Sequence, residues 1–230
     1  MISFDAIIFD FDGVLLESEY SLNTILAELL TQLGHHHSVE DALSHYVGLA
    51  GNDFIAAVEQ RIGRPLPDEF HARMKQESMR AMKEGIAAVA GAVDFVRSLP
   101  PSLPKAVASS SSTRWIRAHL DHLGIADAFG EHVYSGREHV EHVERGKPAP
   151  DIYLYATERL GADVRRSVII EDSAVGATGA LASGAMVIGL AAGSHCLGGH
   201  ADMLRSLGVR CVALSFVELA EMLGFAQTSR

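Results

Sequence analysis

The chain has 230 residues, enough to bury a full core, and its 48% hydrophobic and 21% charged content is that of an ordinary globular protein rather than a disordered one. Its formal net charge of −10 argues against nucleic acid or an anionic membrane as the main partner. The two cysteines, Cys196 and Cys211, are too few for a disulfide scaffold, and nothing around them has metal-ligand spacing. No leader or long apolar run occurs, so we expect a cytoplasmic monomer, or at most a weak dimer.

The first stretch, FDAIIFDFDGVLL, runs from Phe4 to Leu16. Its apolar residues predict a buried parallel strand that delivers Asp10 and Asp12 at its carboxyl end, where open α/β sheets bind ligands. Two carboxylates so close together usually require a cation or a shared proton. Gly13 allows a sharp turn after them. The alternative is that the two aspartates merely cap the following helix.

Only helical patterns follow between Glu17 and Ile86. The predicted helices are Ser18–Leu33, Val39–Tyr46, Asp53–Ile62 and Pro67–Glu84. We therefore predict a small all-helical domain, residues 17–87, inserted into a larger domain of residues 1–16 and 88–230.

Two polar stretches of the insertion have open interpretations. Gly48–Asp53, with the sequence GLAGND, is either a loop facing the site or an ordinary turn between helices. His35, His36 and His37 are adjacent and converge poorly on one ion, so we expect a solvated loop there.

From Gly91 onward, helices and strands alternate, which predicts an α/β fold with a doubly wound parallel sheet. The predicted strands are Lys105–Ala108, His132–Tyr134, Ser167–Ile170, Met186–Leu190 and Cys211–Leu214. The predicted helices are Ala92–Leu99, Arg114–Leu123, Pro150–Leu160, Ala174–Ala182 and Phe216–Leu223. The polar segment Arg137–Arg145, with His139 and His142, is expected to be a surface loop.

Later strands and loops supply groups suited to a phosphoryl anion. Ser109 follows a strand and either holds phosphate oxygens or caps the next helix. Lys147 lies in GKPAPD, whose restricted backbone can fix its ammonium near one place. Glu171 and Asp172 follow another strand and suit a hard divalent cation, although Asp172 could instead cap a helix.

DFDGVL, Ser109, GKPAPD and EDSAVGA, in this order, resemble the four motifs of the haloacid dehalogenase superfamily of phosphoryl-transfer enzymes. Within this superfamily, the chain resembles the subgroup that includes β-phosphoglucomutase and sugar-phosphate phosphatases. It implies a Rossmann-like core with a helical cap closing over the site. It also implies an aspartyl-phosphate intermediate, with Asp10 as nucleophile and Asp12 as general acid and base. Dehalogenases of this superfamily look different at the second aspartate, because a halide leaving group needs no proton.

The resemblance assigns the remaining site residues as well. Ser109 and Lys147 would hold the transferring group. The implied phosphate-binding set is Phe11, Gly13, Ser109, Ser110 and Lys147. The implied cofactor is Mg²⁺, and its site would be formed by Asp10, the Asp12 backbone carbonyl and Asp172, with Glu171 supporting.

The predicted function is a magnesium-dependent phosphatase for a small phosphorylated metabolite, a sugar or sugar-acid phosphate such as a 6-phosphogluconate-like substrate. One alternative is a phosphomutase. In β-phosphoglucomutases a histidine stands at the place of Leu22 and an arginine near that of Gly51, and neither residue here can donate a side-chain hydrogen bond to phosphate. The other alternative is a phosphoacceptor signalling module, but receiver domains carry no helical insertion.

Overall fold

A parallel sheet of six strands forms the centre of the protein. The computed structural model describes residues 4–49, 51–136 and 143–225. The strands are β1 (Ala6–Phe9), β2 (Lys105–Ser109), β3 (Val133–Ser135), β4 (Ser167–Glu171), β5 (Met186–Leu190) and β6 (Cys211–Ala213). Their order is β3-β2-β1-β4-β5-β6, and every neighbouring pair is parallel. The predicted doubly wound α/β fold is confirmed.

Strand β1 lies in the middle of the sheet and is covered on both faces, which explains its continuous apolar sequence. Ile7 and Phe9 pack into one core cluster and Ile8 into another, because successive side chains point to opposite faces. The covering helices are α5 (Ala92–Ser98), α6 (Thr113–Leu123), α7 (Ala126–Phe129), α8 (Asp151–Arg159), α9 (Ala174–Ser183), α10 (His200–Ser206) and α11 (Phe216–Leu223).

Four helices lie between β1 and α5. They are α1 (Ser18–Gln32), α2 (Val39–Tyr46), α3 (Gly51–Ile62) and α4 (Asp68–Glu84). Their apolar faces share a third core cluster that includes Leu30, Val58 and Phe70. The two connections to the sheet run side by side, since the Glu17 amide donates to the Ala87 carbonyl at 2.9 Å. This arrangement is the expected helical cap, while the exact domain boundaries stay a prediction.

The predicted elements agree with the structure to within two residues at each end. Three short elements were not predicted: α7, α10 and a 3₁₀ turn at Val164–Arg166. Helix α10 buries only Leu204, so it lacks the apolar stripe by which a helix is recognised in sequence. No helix in the described parts of the chain is both long and apolar enough to span a bilayer, and the cellular location stays a prediction.

Candidate active site

The carboxyl ends of three adjacent strands bring the predicted polar residues together. Asp10 follows β1 directly, Ser109 ends β2, and Glu171 ends β4 with Asp172 next in the chain. Lys147 reaches the same place from the loop before α8. Its Nζ lies 2.5 Å from Asp10 Oδ1 and 2.7 Å from Glu171 Oε1. The sheet order therefore assembles residues that lie far apart in sequence.

Lys147 is almost fully buried, with 6% of its side chain exposed. Burial lowers the pKa of Lys147, but the Asp10 and Glu171 carboxylates outweigh that effect and hold its pKa well above the usual value. The ammonium also lies 4.9 Å from the ring centre of Tyr153. Gly179 of α9 approaches the backbone of Pro148 closely, since a Cβ at that glycine would lie 3.0 Å from its carbonyl oxygen. The lysine is thus a fixed cation at the site.

Both carboxylate oxygens of Glu171 are already hydrogen-bonded. Oε1 accepts from Lys147 and from the Tyr153 hydroxyl at 2.6 Å. Oε2 accepts from the Asp172 amide at 3.0 Å and from the Ser173 amide and hydroxyl at 3.1 Å. A Cβ at Gly176 would overlap this carboxylate, so the start of α9 also packs directly against it. Glu171 therefore anchors Lys147 firmly.

Asp12 is held by side chains from three elements. Its Oδ1 accepts from the Ser18 hydroxyl at 2.6 Å and from the Trp115 indole N–H at 3.0 Å. Its Oδ2 accepts from the Ser111 hydroxyl at 2.6 Å, and the Ser109 hydroxyl lies 3.4 Å away. Such a network fixes the orientation of the carboxylate.

Asp172 has the properties of a ligand for a hard cation. It is 1% exposed, neither of its oxygens has a hydrogen bond of good geometry, and the ring nitrogen Nε2 of His195 lies 2.7 Å from Oδ2. One oxygen each of Asp10, Glu171 and Asp172 lie within 4.8 Å of one another. Burial raises the pKa of Asp10 and of Asp172, and the neighbouring Glu171 charge adds to both shifts. The oxygen donors fit magnesium.

Gly13 is required by this packing. Its φ of +82° lies in the left-handed region, and a Cβ there would overlap Oδ2 of Asp172. Its amide donates to the Leu16 carbonyl at 2.8 Å. The Phe11 side chain is buried in the core, so only its backbone could face a ligand. The phosphate-binding roles of these two residues stay predictions.

The helix-capping alternatives are wrong for the predicted site residues. Ser112, not Ser109, caps α6, and its hydroxyl accepts from the Trp115 amide at 3.3 Å. Ser173, not Asp172, caps α9. No side chain caps α1, so the two aspartates after β1 are not caps either. Their carboxylates face the site instead.

A cavity of about 390 Å³ lies between these strand ends and the cap. Its floor includes Asp10, Asp12, Ser110 and Lys147. The apolar part of its cap wall includes Leu22, Leu26, Leu49, Phe54, Met74 and Met82. Among the described residues that line it, Lys147 is the only lysine or arginine.

Glu19 also lines the cavity, and Asn23 Nδ2 donates to its Oε2 at 3.2 Å. Burial, together with the nearby charges of Asp172 and Asp12, raises the pKa of Glu19 to about 8. The Glu19 carboxyl group therefore holds its proton more tightly than an exposed carboxyl group does.

Three other predictions can be compared with the structure. Gly48, Leu49 and Gly51 line the cavity, so the GLAGND segment does face the site. His35, His36 and His37 are in none of the potential metal-ligand clusters found among the described residues. Residues 137–142 lie outside the described ranges, and Arg145 of the same segment pairs with Asp151 at 2.8 Å.

Sequence reasoning missed Trp115, Tyr153 and Glu19. Trp115 is the single tryptophan and comes six residues after Ser109, and Glu19 comes seven residues after Asp12. Their short distance in sequence from motif residues could have identified them as candidate site residues. Tyr153 gave none, because it reads as an ordinary apolar position of α8.

A doubly wound sheet with carboxylates and a lysine at its strand ends defines an α/β protein whose reaction site lies at that edge. Within this class, the chain belongs to the haloacid dehalogenase-like hydrolases, whose family model matches residues 4–184.

Several known proteins are similar to it. Fructose-1-phosphate phosphatase YqaB of Escherichia coli is 29% identical over 178 residues, which cover 77% of this chain and 92% of the relative. A haloacid dehalogenase-like protein of unknown function from Agrobacterium tumefaciens has a TM-score of 0.85 at 31% identity, covering 96% and 98% of the two chains. A Deinococcus radiodurans hydrolase with bound phosphate and sodium has a TM-score of 0.80 at 32% identity, covering 100% of both. These findings confirm the predicted enzyme class, a phosphatase, over the signalling module.

Proposed function

We propose that this protein is a magnesium-dependent phosphatase that hydrolyses a small sugar or polyol phosphate through an aspartyl-phosphate at Asp10. The observation that carries the proposal is the buried pair of Asp10 and Lys147 at the floor of a cavity whose cap wall is largely apolar. The fructose-1-phosphate phosphatase among the relatives supports the substrate class. The phosphate bound in the similar Deinococcus hydrolase supports a ligand that contains a phosphate group.

Asp10 is placed to act as the nucleophile. Lys147 contacts its Oδ1, which leaves Oδ2 to attack phosphorus. The bond from phosphorus to the leaving oxygen then breaks, and that oxygen takes a proton from Asp12. Water attacks the aspartyl-phosphate in the second half-reaction, Asp12 accepts its proton, and inorganic phosphate is released.

The contacts of Asp12 indicate which of its oxygens carries the proton. An indole N–H can only donate, so Oδ1, which faces Trp115, must stay an acceptor. Serine hydroxyls can donate or accept, so Ser111 can follow a proton on Oδ2. We therefore assign the transferred proton to Oδ2, the oxygen on the side of Ser109 and Ser111.

Magnesium would be held by Asp10, Asp172 and the Asp12 backbone carbonyl. Glu171 would contribute mainly by fixing Lys147, because both of its oxygens already accept hydrogen bonds. When bound, magnesium supplies positive charge that offsets the phosphate and the crowded carboxylates.

The cap wall favours a leaving group without a negative charge. A carboxylate or second phosphate there would be desolvated without a partner, because no described lysine or arginine lines that wall. The side chains of Glu19 and Asn23 can instead pair with hydroxyl groups. The proposed substrate class is therefore narrower than the class predicted from the sequence, which included sugar-acid phosphates such as 6-phosphogluconate.

The phosphomutase alternative is less well supported. Leu22 and Gly51 both line the cavity, and neither offers a side-chain donor to a second phosphate.

A matched pair of substrates tests the proposal. Sorbitol 6-phosphate and 6-phosphogluconate differ at one end, where a hydroxymethyl group replaces a carboxylate. We expect magnesium-dependent phosphate release from the polyol ester with kcat/KM at least about tenfold higher, since burying an unpaired charge costs more than one tenfold step of about 1.4 kcal/mol. Asp10→Asn protein prepared in parallel excludes a contaminating phosphatase. Equal or better hydrolysis of 6-phosphogluconate would contradict the assigned substrate class.

A further inference from the structure

A second group of potential metal ligands lies beside the candidate active site. The segment after β5 carries His195 and Cys196, and α10 begins at His200. One donor atom of each of these three residues lies within 4.8 Å of the other two. The sequence gave no metal-ligand spacing around Cys196, and the proximity of these donors is seen only in the folded structure. The sheet and α10 bring together donors that look unremarkable in the chain.

The hydrogen bond of one of the two imidazoles leaves a lone pair for a metal. His200 Nε2 lies 2.7 Å from the Asp172 carbonyl oxygen, which can only accept, so Nε2 carries the proton and Nδ1 carries the lone pair. Proteins usually orient a metal-binding histidine in this way: one ring nitrogen binds the metal, and the N–H of the other donates to a backbone carbonyl or a carboxylate.

His195 is 2% exposed, its Nε2 lies 2.7 Å from Asp172 Oδ2, and its Nδ1 is buried without a hydrogen-bond partner. A buried ring nitrogen without a partner is uncommon, because such a group loses its hydration on folding. The ring nitrogen that faces the Cys196 thiol is Nε2, so an ion shared with that thiol would bind at Nε2.

Cys196 adds a soft ligand. Its Sγ lies 3.3 Å from His195 Nε2. Ligands of a tetrahedral zinc ion at about 2.0–2.3 Å are separated by about 3.6 Å, so binding an ion would move these two atoms apart by only a few tenths of an ångström. Cys196 and His200 are half-buried rather than sealed, which leaves a path for the ion.

We propose that His195, Cys196 and His200 form a binding site for a divalent transition metal ion of the zinc type, distinct from the oxygen-ligand magnesium site. Two imidazoles and a thiolate select such ions over magnesium, which prefers oxygen. Three protein ligands leave a fourth position for water. Burial raises the pKa of the Cys196 thiol, so the metal–sulfur bond forms with release of the thiol proton to solvent.

Cobalt binding tests this directly and does not depend on the phosphatase activity. Purified protein with excess magnesium is titrated with Co²⁺, and the near-ultraviolet absorption of a cobalt–thiolate bond is recorded. We expect the band to saturate at one equivalent and to disappear when Zn²⁺ is added. Cys196→Ser should abolish it, and the matched control Cys211→Ser should leave it unchanged, since Cys211 lies in β6 outside the cluster.

A second measurement needs no variant. Alkylation of the two cysteines in the unmodified protein is followed by mass spectrometry with and without Zn²⁺. We expect zinc to slow the modification of Cys196 at least about tenfold, since a coordinated thiolate is withdrawn from reaction, and to leave Cys211 unaffected. The proposal would be overturned if the thiolate band were absent or if it survived in Cys196→Ser. It would also be overturned if the band were lost when His35, His36 and His37 are replaced by alanine, or if Cys196 were alkylated equally with and without zinc.

Discussion

Replacing Trp115 by phenylalanine tests how Asp12 is held during catalysis. The change removes the indole N–H that donates to Asp12 Oδ1 at 3.0 Å and keeps most of the aromatic packing of a residue that is 7% exposed. A hydrogen bond to a charged group contributes about 1.5–3 kcal/mol. Because serine hydroxyls still hold the carboxylate, we expect the lower half of that range, a loss of about 13–45-fold in kcat/KM.

The assay compares two substrates. With an alkyl phosphate, the leaving oxygen needs the proton of Asp12, and kcat/KM should show the full loss. With p-nitrophenyl phosphate the leaving group departs as an anion, so the loss should be below about threefold. Ser18→Ala removes the other donor to Oδ1, and it should likewise lower kcat/KM for the alkyl phosphate much more than for p-nitrophenyl phosphate. Denaturant unfolding of each variant monitors the fold. An equal loss for both substrates, or no loss for the alkyl ester, would refute the positioning role.

The remaining predictions concern the nucleophile, the metal, the type of reaction and the pH dependence of stability. Asp10→Asn should lower turnover about a thousandfold or more with the fold intact, because the amide is not a nucleophile; substantial activity in a clean preparation would exclude Asp10 from this role. Activity should require magnesium and be inhibited by calcium, whose looser coordination misplaces the nucleophile, and Asp172→Ala should raise the magnesium requirement sharply; full activity in excess chelator would contradict this. β-Glucose 1-phosphate with a trace of the 1,6-bisphosphate should give free phosphate or no reaction, and efficient formation of glucose 6-phosphate would favour the mutase. Burial lowers the pKa of His119 below its usual value of 6.5. At a pH below 6.5, His119 is therefore protonated in the unfolded chain more than in the folded chain, and the free energy of unfolding should fall as the pH drops. His119→Asn, which retains a donor for the Trp115 carbonyl, should reduce this acid dependence in denaturant titrations at pH 5 and 7; an unchanged dependence would argue against it.

The sequence by itself determined the fold class and the motif residues. Buried parallel strands need continuous apolar runs, and the residues after β1, β2 and β4 must meet wherever those strands are neighbours. Local patterns, together with the resemblance of the motifs, were therefore sufficient to predict that Asp10, Ser109 and Asp172 share one edge of the sheet. The helical insertion was equally visible, because its four helices carry their own apolar faces.

The tertiary structure alone decided which side chains touch within that edge. The contacts of Trp115 with Asp12 and of Tyr153 with Glu171 depend on how helices α6 and α8 pack on the sheet, and periodicity says nothing about such angles. The convergence of His195, Cys196 and His200 depends on the turn that leads into α10, a helix too weakly apolar to predict. Contacts between elements are set by packing geometry, which is a property of the whole fold and is not encoded in the spacing of any single segment.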